Sequence, residues 1–291
     1  MTDILNLEGY VRSYREDGYV IVPGLLSPSE VEELRAVTAR IEDAAEGLSE
    51  ETPIYDFAEA PDGRLMIERI KKPHRVDDFY WQMAKHPSIL KVMAALIGPD
   101  IRLSHSKINM KSPMGGAALE WHQDWAFAPH THMGTCVASV MIDESSPENG
   151  ALQFLGKSHE KGLLDHHGPD GVFRGAVAEG DPGVDLSTAR SLIGPPGTVA
   201  FHHPMTIHGS GTNMSGEPRR ILFLEYAAAD AYPLFYAVDW DEYQGRMVAG
   251  DSSPTIRIDA LPVKLPVPSP EGSSIYKIQA KLTQRHFAKA G

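Results

Sequence analysis

The chain has 291 residues, of which 42% are apolar and 23% charged, and this is the composition of a folded globular protein with a sizeable core. Its formal net charge of −12 repels phosphate backbones, and no basic cluster is interleaved with aromatic residues, so nucleic acid is excluded as an expected partner. A single cysteine, Cys136, excludes an internal disulfide or a thiolate-rich metal site, so any metal must be held by His, Asp or Glu.

The sequence shows neither an apolar run of bilayer length nor a secretory signal, since residues 1–10 lack the basic-then-apolar layout of a signal peptide. We therefore expect a cytoplasmic protein without a membrane partner, in a reducing compartment that suits the lone cysteine. No internal repeat or linker marks a boundary, so residues 1–291 are expected to fold as one domain and to work as a monomer or homodimer.

The first hundred residues are predicted to form a mainly helical buttress. Ser27 and Glu30 have the spacing of a capping box, which opens an amphipathic helix predicted over residues 28–47. Further helices are predicted over residues 5–17 and 76–96, the second broken near His86-Pro87.

From residue 101 the sequence changes to short segments rich in β-branched residues, separated by turn signals such as Asn149-Gly150. Helices followed by many short strands indicate a mainly β fold with flanking helices, a cupin-like jelly roll that the N-terminal helices buttress. The core is expected over residues 101–230, with an insertion of lid length at about 163–191, and residues 231–291 are expected to pack on it. The predicted strands cover residues 101–111, 135–143, 152–155, 198–201, 207–209 and 220–226.

The most informative stretch of the sequence is Trp121-His122-Gln123-Asp124. Because residues two apart on a strand project to the same side, the His122 imidazole and the Asp124 carboxylate can reach one metal ion. His208 lies where another predicted strand ends in a glycine-rich turn, and it is the candidate third ligand. Two histidines and one carboxylate on one face of an octahedral ion leave three positions open, which suits Fe(II) that binds a co-substrate and O2 together.

A candidate anchor for that co-substrate follows His208. Arg219 comes eleven residues later at the start of an apolar strand, and a guanidinium makes a bidentate pair with a carboxylate such as the far one of 2-oxoglutarate. Ser210 is expected to supplement it. Only one of the adjacent Arg219 and Arg220 can point inward, and the prediction is Arg219 because it shares parity with the apolar Ile221.

Three stretches together resemble the phytanoyl-CoA dioxygenase family, which includes ectoine hydroxylases. They are the His122-x-Asp124 motif, the turn at 146–150 with the residues that follow it up to His159, and the block 197–220. The likeness spans roughly residues 101–226, with a looser match over 17–34.

This resemblance implies a double-stranded β-helix that holds Fe(II) on His122, Asp124 and His208 and binds 2-oxoglutarate at Arg219. It implies that the protein, with O2, converts 2-oxoglutarate to succinate and CO2 while it hydroxylates an unactivated C–H bond. Some members of the family are halogenases, in which a small residue replaces the carboxylate ligand. The presence of Asp124 therefore favours hydroxylation.

The strand over residues 101–111 resembles the one that lines the pocket of ectoine hydroxylases. His105, Lys107 and Asn109 share one of its faces by the period of two. Asn109 is expected to meet the co-substrate, and His105 and Lys107 an anionic or polar substrate. The expected substrate is a compact polar molecule, such as an amino-acid derivative, a compatible solute or an alkylphosphonate.

Several of these residues also have a purely structural interpretation. Trp125 and Phe127 directly follow the iron ligands and are candidate substrate contacts, but they depart from the ectoine hydroxylase pattern and such aromatics also serve as core. His105 and Lys107 could simply face water on a polar strand. Lys71, Lys72 and Arg75 are expected to form a solvated charge run.

Three alternative functions remain open from the sequence. The first is a hydroxylase of an acyl-CoA or of a secondary metabolite. The second is a cupin-like isomerase or hydrolase with Zn(II) or Mn(II) on the same ligands, which would have no use for Arg219. The third is a jelly-roll binding module without catalytic activity, which would show no affinity for Fe(II).

Overall fold

The structure is a computed structural model that describes residues 6–59, 63–178, 180–235, 237–259, 274–280, 282 and 285–287. Within these ranges, no helix has both the length and the apolar character needed to cross a bilayer. The helices are α1 (Leu7–Asp17), α2 (Pro28–Asp43), α3 (Asp78–Ala84), α4 (Pro87–Ile97), α5 (Trp240–Gly245) and α6 (Ile275–Gln279). The strands are β1 (Tyr19–Val22), β2 (Tyr55–Glu59), β3 (Leu65–Lys71), β4 (Ile101–Lys111), β5 (Leu119–His122), β6 (Thr135–Met141), β7 (Leu152–Leu155), β8 (Ala189–Ser191), β9 (Val199–His202), β10 (His208–Ser210), β11 (Arg219–Ala228) and β12 (Met247–Ala249).

Helix α2 begins where the sequence predicts it. The Ser27 hydroxyl accepts a hydrogen bond from the Glu30 N–H at 3.4 Å, and the Glu30 carboxylate accepts one from the Ser27 N–H at 2.7 Å. These bonds satisfy donors that have no partner within the helix. The helix ends at Asp43, earlier than the predicted end at Gly47, and the predicted break at His86-Pro87 separates α3 from α4.

Two antiparallel sheets pack together as the two layers of a double-stranded β-helix. The larger sheet has the order β1-β9-β6-β11-β4-β3-β2, with β12 beside β4, and the smaller sheet has the order β5-β10-β7-β8. Apolar residues of both sheets, such as Phe154 and Phe223, share one buried cluster between the layers. The predicted fold class, mainly β with flanking helices, is therefore confirmed.

The N-terminal hundred residues contain three strands besides the predicted helices. β1 pairs with β9, and β3 and β2 extend the larger sheet beyond β4. Asp56 of β2 forms ion pairs with Arg69 and Lys71 of β3. Asp56 is buried, and the two cations are mostly buried. A strand whose buried side chains are charged lacks the apolar alternation by which strands are recognised, so this pair of strands was not predicted.

The alternation along β11 separates the two faces of the larger sheet. Leu222 belongs to the outer core, which packs against helices α2 to α4, whereas Ile221 belongs to the inner core between the sheets. By the period of two, Arg219 lies on the inner face and Arg220 on the outer face.

Arg220 is held on the outer face by Asp143, which accepts hydrogen bonds from its Nε at 2.8 Å and its Nη2 at 2.9 Å. Asp143→Ala leaves the half-buried guanidinium with Glu42 alone, and we expect it to lower the free energy of unfolding by about 2–3 kcal/mol. The control Arg40→Ala removes the ion pair with Asp77. Because the Arg40 side chain is 64% exposed, this substitution should lower the free energy of unfolding by less than about 1 kcal/mol. Urea unfolding measures both, and equal losses would contradict the prediction.

Candidate active site

His122, Asp124 and His208 converge where β5 and β10 pair. His122 ends β5, His208 begins β10, and the two residues lie directly opposite each other in this antiparallel pair. Asp124 opens the 3-10 turn that follows, and its Oδ1 lies 3.9 Å from His122 Nε2 and 3.7 Å from His208 Nε2. The three ligand atoms all lie within 4.8 Å of one another. One metal ion can therefore bind all three.

Backbone carbonyl groups fix the tautomer of both histidines. His122 Nδ1 donates a hydrogen bond to the Glu120 carbonyl at 2.8 Å, and His208 Nδ1 donates one to the Thr206 carbonyl at 3.0 Å. With the proton held on Nδ1, the lone pair of each Nε2 is directed to the ligand cluster.

The protonation states of the three ligands also suit a divalent metal. Burial lowers the pKa of His122 well below its ordinary value and the pKa of His208 to about 4, so both imidazoles are neutral at pH 7. Burial by itself would raise the pKa of Asp124, but its interactions with His208 and His202 hold that pKa well below the usual range. Two neutral imidazoles and a carboxylate are the donor set of a facial Fe(II) site, so the residues present fit the predicted metal.

His202, at the end of β9, orients the carboxylate ligand. Its Nε2 donates a hydrogen bond to Asp124 Oδ2 at 3.0 Å, and its side chain is fully buried. Its ring centroid lies 4.6 Å from that of His208. A role for His202 was not predicted, because one histidine at the end of an apolar strand resembles any other buried histidine.

The inner face of the larger sheet carries a row of buried polar atoms without hydrogen-bond partners among the described residues. They include Arg219 Nε, Asn109 Oδ1 and Ser139 Oγ. Leaving such an atom unpaired costs about 1–3 kcal/mol, so the row marks a place that a polar ligand would satisfy. Burial lowers the pKa of Arg219 only to about 10, so it stays cationic. Burial and then the charge of Arg219 lower the pKa of the neighbouring Lys111 well below its ordinary value.

Gln123 fastens the start of the insertion at 163–191 beside the metal ligands. Its side-chain amide accepts a hydrogen bond from the Leu164 N–H at 2.8 Å and donates to the Gly162 and Met205 carbonyls. Its backbone N–H donates to His166 Nε2 at 2.9 Å. The insertion is therefore tied to the residue that lies between the two ligands of the His122-x-Asp124 motif.

The other predicted site residues lie in different surroundings. Ser210 is buried on β10, two residues after His208. Phe127 packs edge-on to the His122 ring at 5.9 Å between centroids, whereas Trp125 is only 1% exposed and lies near His130. Their roles in binding a substrate or co-substrate stay predictions.

Lys107 and His105 lie on the inner face of β4 and near Glu225 of β11. Lys107 Nζ lies 2.9 Å from Glu225 Oε1, and His105 is the cross-strand neighbour of Glu225. Glu225 was not predicted, although it shares the parity of Arg219 along β11. That parity was a usable signal.

Residues 14–221 match the sequence profile of the phytanoyl-CoA dioxygenase (PhyH) family. The chain is 36% identical over 282 residues to a probable alpha-ketoglutarate-dependent hypophosphite dioxygenase of Stutzerimonas stutzeri, covering 95% of this chain and 98% of the relative. It is 28% identical over 276 residues to an L-proline trans-4-hydroxylase of Streptomyces griseoviridis, covering 87% and 96%. The crystal structure of SnoN, a non-heme alpha-ketoglutarate-dependent epimerase from nogalamycin biosynthesis, matches with a TM-score of 0.65 and 25% identity, over 91% of this chain and 98% of that one.

The chain therefore belongs to the PhyH family, as the resemblance indicated. The predicted class, an Fe(II)- and 2-oxoglutarate-dependent dioxygenase, is confirmed, and so are the predicted cofactors. A jelly-roll module without catalytic activity is no longer an alternative.

The contact between His202 and Asp124 predicts a positioning role. In His202→Phe the ring volume is kept and the hydrogen bond to the carboxylate is lost, so the affinity for Fe(II) should fall by about 10- to 100-fold. Anaerobic calorimetric titration with Fe(II) measures this affinity. His132→Phe, which changes a buried histidine paired with Asp230 instead, is the control, and equal effects of the two substitutions would argue against the role.

A second prediction concerns how the stability of the protein depends on pH through five histidines that are not candidate metal ligands and whose pKa is lowered by burial. Because the unfolded chain binds protons on these residues below about pH 6.5 and the folded protein does not, the free energy of unfolding should fall as the pH decreases toward 4. Urea unfolding of the metal-free protein measures the slope. His166→Gln should reduce that slope by up to about 1.4 kcal/mol per pH unit, and a flat curve from pH 6.5 to 4.5 would contradict the prediction. Burial lowers the pKa of His74, His105, His130 and His166 to about 4 and that of His203 to about 3.

Proposed function

We propose that this dioxygenase hydroxylates a compact polar metabolite at an iron centre formed by His122, Asp124 and His208, with 2-oxoglutarate anchored by Arg219. When bound, Fe(II) and 2-oxoglutarate supply the activation of O2, with one oxygen atom entering succinate as CO2 is lost and the other forming the hydroxyl of the product. The residues of the chain bind and orient the reactants and exclude water.

One observation carries the assignment of Arg219. Its guanidinium is 2% exposed on the inner face, and its Nε has no hydrogen-bond partner among the described residues. A buried cation of this kind is costly unless an anion pairs with it. The far carboxylate of 2-oxoglutarate is such an anion, and a guanidinium binds it in a bidentate manner.

Neighbouring side chains have the chemistry to hold the rest of the co-substrate. Asn109 and Ser139 offer their unpaired buried polar atoms from the same inner face, and Ser210 offers a hydroxyl from β10. We assign these three residues to the co-substrate, as the sequence suggested for Asn109 and Ser210.

The insertion at 163–191 is suited to exclude water from the reaction. Hydrogen bonds of Gln123 with His166 and Leu164 connect the first residues of the insertion to the segment that carries His122 and Asp124. A movement of the insertion would therefore also displace these two side chains. We propose that it covers the substrate during the reaction.

A compact substrate is in keeping with the names of the relatives, which act on hypophosphite and L-proline. Both molecules are small and polar. We also propose that the protein works in the cytoplasm as a monomer or homodimer, without nucleic acid or membrane partners, in keeping with its net charge of −12 and the buried thiol of Cys136.

The proposal predicts a coloured complex in the absence of O2. Addition of Fe(II) and then 2-oxoglutarate to the metal-free protein should give the weak visible charge-transfer band of an iron chelate of a 2-oxo acid. Zn(II) in place of Fe(II) is the control and should give no band. A folded, iron-loaded protein that shows none would overturn the proposal.

The role of Arg219 is tested by Arg219→Leu, which keeps an apolar side chain in the buried position. Losing a charge-assisted bidentate pair should raise the 2-oxoglutarate concentration for half-saturation of the band by about 100-fold. The affinity for Fe(II) should change little, because Arg219 is no metal ligand. Arg12→Leu, on the exposed side of α1, is the matched control and should titrate like the parent protein. An unchanged half-saturation in Arg219→Leu would refute the assignment.

A further inference from the structure

Two lysines lie directly opposite each other on the inner face of the larger sheet. Lys71 of β3 is the register partner of Lys107 of β4, and Arg69 lies two residues before Lys71. Like charges in directly opposed cross-strand positions repel each other. The fold nevertheless brings three cations together on one wall of the barrel, and this arrangement needs an explanation.

Each lysine is held by a carboxylate on the side away from the other lysine. Lys71 Nζ lies 2.7 Å from Asp56 Oδ1, on β2, and Lys107 Nζ lies 2.9 Å from Glu225 Oε1, on β11. Arg69 shares Asp56 through its Nε at 2.7 Å. Among the described residues, these three cations thus form ion pairs with two carboxylates.

This wall lies next to the candidate metal centre. The charge of Lys107 contributes to holding the pKa of Asp124 low, and that of Asp124 to raising the pKa of Lys107. The Lys107 side chain is 22% exposed and that of Lys71 21%, so both are mostly buried without being fully enclosed. Lys71, Lys72 and Arg75 were expected to form a solvated charge run, and for Lys71 this expectation is wrong because its side chain is mostly buried beside Asp56.

We propose that Lys107, with Lys71 opposite it, forms a binding site for a small oxyanion, and that the substrate of this enzyme is a compact monoanion carrying at least two acceptor oxygens. The inference rests on the proposed function and names its substrate class. An oxyanion between the two ammonium groups replaces their mutual repulsion with two charge-assisted hydrogen bonds. His105, kept neutral by burial, offers a further N–H from the same face of β4.

The balance of charge selects a monoanion over a zwitterion. The formal charges of Fe(II) and Arg219 equal those of Asp124 and the 2-oxoglutarate dianion, so the loaded centre is neutral. In the ion pairs of the described residues, the three cations Lys71, Lys107 and Arg69 stand against the two carboxylates Asp56 and Glu225, and one further negative charge makes the two numbers equal. A zwitterionic amino acid leaves that charge uncompensated and places its ammonium group near the lysines.

Hypophosphite is the probe, since it is a monoanion with two acceptor oxygens, and L-proline is the zwitterionic comparison. Hypophosphite should perturb the band of the anaerobic complex with Fe(II) and 2-oxoglutarate, and in air it should stimulate succinate release more than L-proline does. In that reaction one P–H bond becomes P–OH with one atom of O2, and the other atom enters succinate. Calorimetric titration of hypophosphite into the iron-loaded protein without 2-oxoglutarate gives a reading that does not depend on the co-substrate.

Four variants test the site. Lys107→Met should raise the hypophosphite half-saturation at least 30-fold while the half-saturation for 2-oxoglutarate changes less than threefold. Lys107→Arg keeps the charge and should restore binding to within tenfold of the parent. Lys91→Met, on the exposed side of α4, is the matched control and should leave both values unchanged. Because Lys107→Met leaves Glu225 unpaired, the double variant Lys107→Met/Glu225→Gln is measured beside it and should show the same loss.

The outcomes separate this inference from the proposed function. If the chelate band forms but neither spectroscopy nor calorimetry detects hypophosphite, the oxyanion site is refuted and the dioxygenase assignment stands. If Lys107→Met weakens 2-oxoglutarate instead of hypophosphite, the wall serves the co-substrate and the inference is equally refuted. If the chelate band is absent while calorimetry still shows hypophosphite binding that depends on Lys107, the proposed function fails and the anion site survives.

Discussion

The cross-strand pairing of His122 with His208 is the contact on which the site depends. The two residues are 86 positions apart in the chain, and only the register of β5 against β10 sets them opposite each other. A shift of one residue in that register would turn one imidazole to the other face of the smaller sheet. The backbone carbonyls that fix both tautomers belong to residues two positions earlier on the same segment, so each tautomer is set locally and the register brings the two Nε2 atoms together.

The interior of the barrel is unusually rich in charge for a protein core. Asp56, Arg69 and Lys107 are all at least three-quarters buried, and each lies on a strand of the larger sheet. Burying such groups costs several kcal/mol each unless they are paired. The structure pairs these three with carboxylates or cations of neighbouring strands, and among the described residues Arg219, Asn109 and Ser139, which are assigned to the co-substrate, keep unused hydrogen-bonding capacity.

Rigid packing outside the barrel supports this charged interior. The outer face of the larger sheet buries Leu222 and Leu224 against the N-terminal helices, and Arg220 joins β11 to α2 through Glu42 and to the end of β6 through Asp143. An apolar outer layer can hold the strands in register even though the inner face is polar. The helical buttress is therefore what allows the inner face to be used for binding.

The sequence by itself determined the chemistry of this protein. The motif containing His122 and Asp124, the distal His208 and the following Arg219 predicted the metal and the co-substrate, and helical segments followed by many short strands predicted the fold class, because ligand types and residue periodicity are local properties. Tertiary structure alone decided which other side chains join them. His202 and Glu225 reach the site through strand pairing between distant segments, and the charged pair β2 and β3 has no apolar period to reveal it. Pairing partners are set by the packing of the whole chain, which the local pattern of residues does not encode.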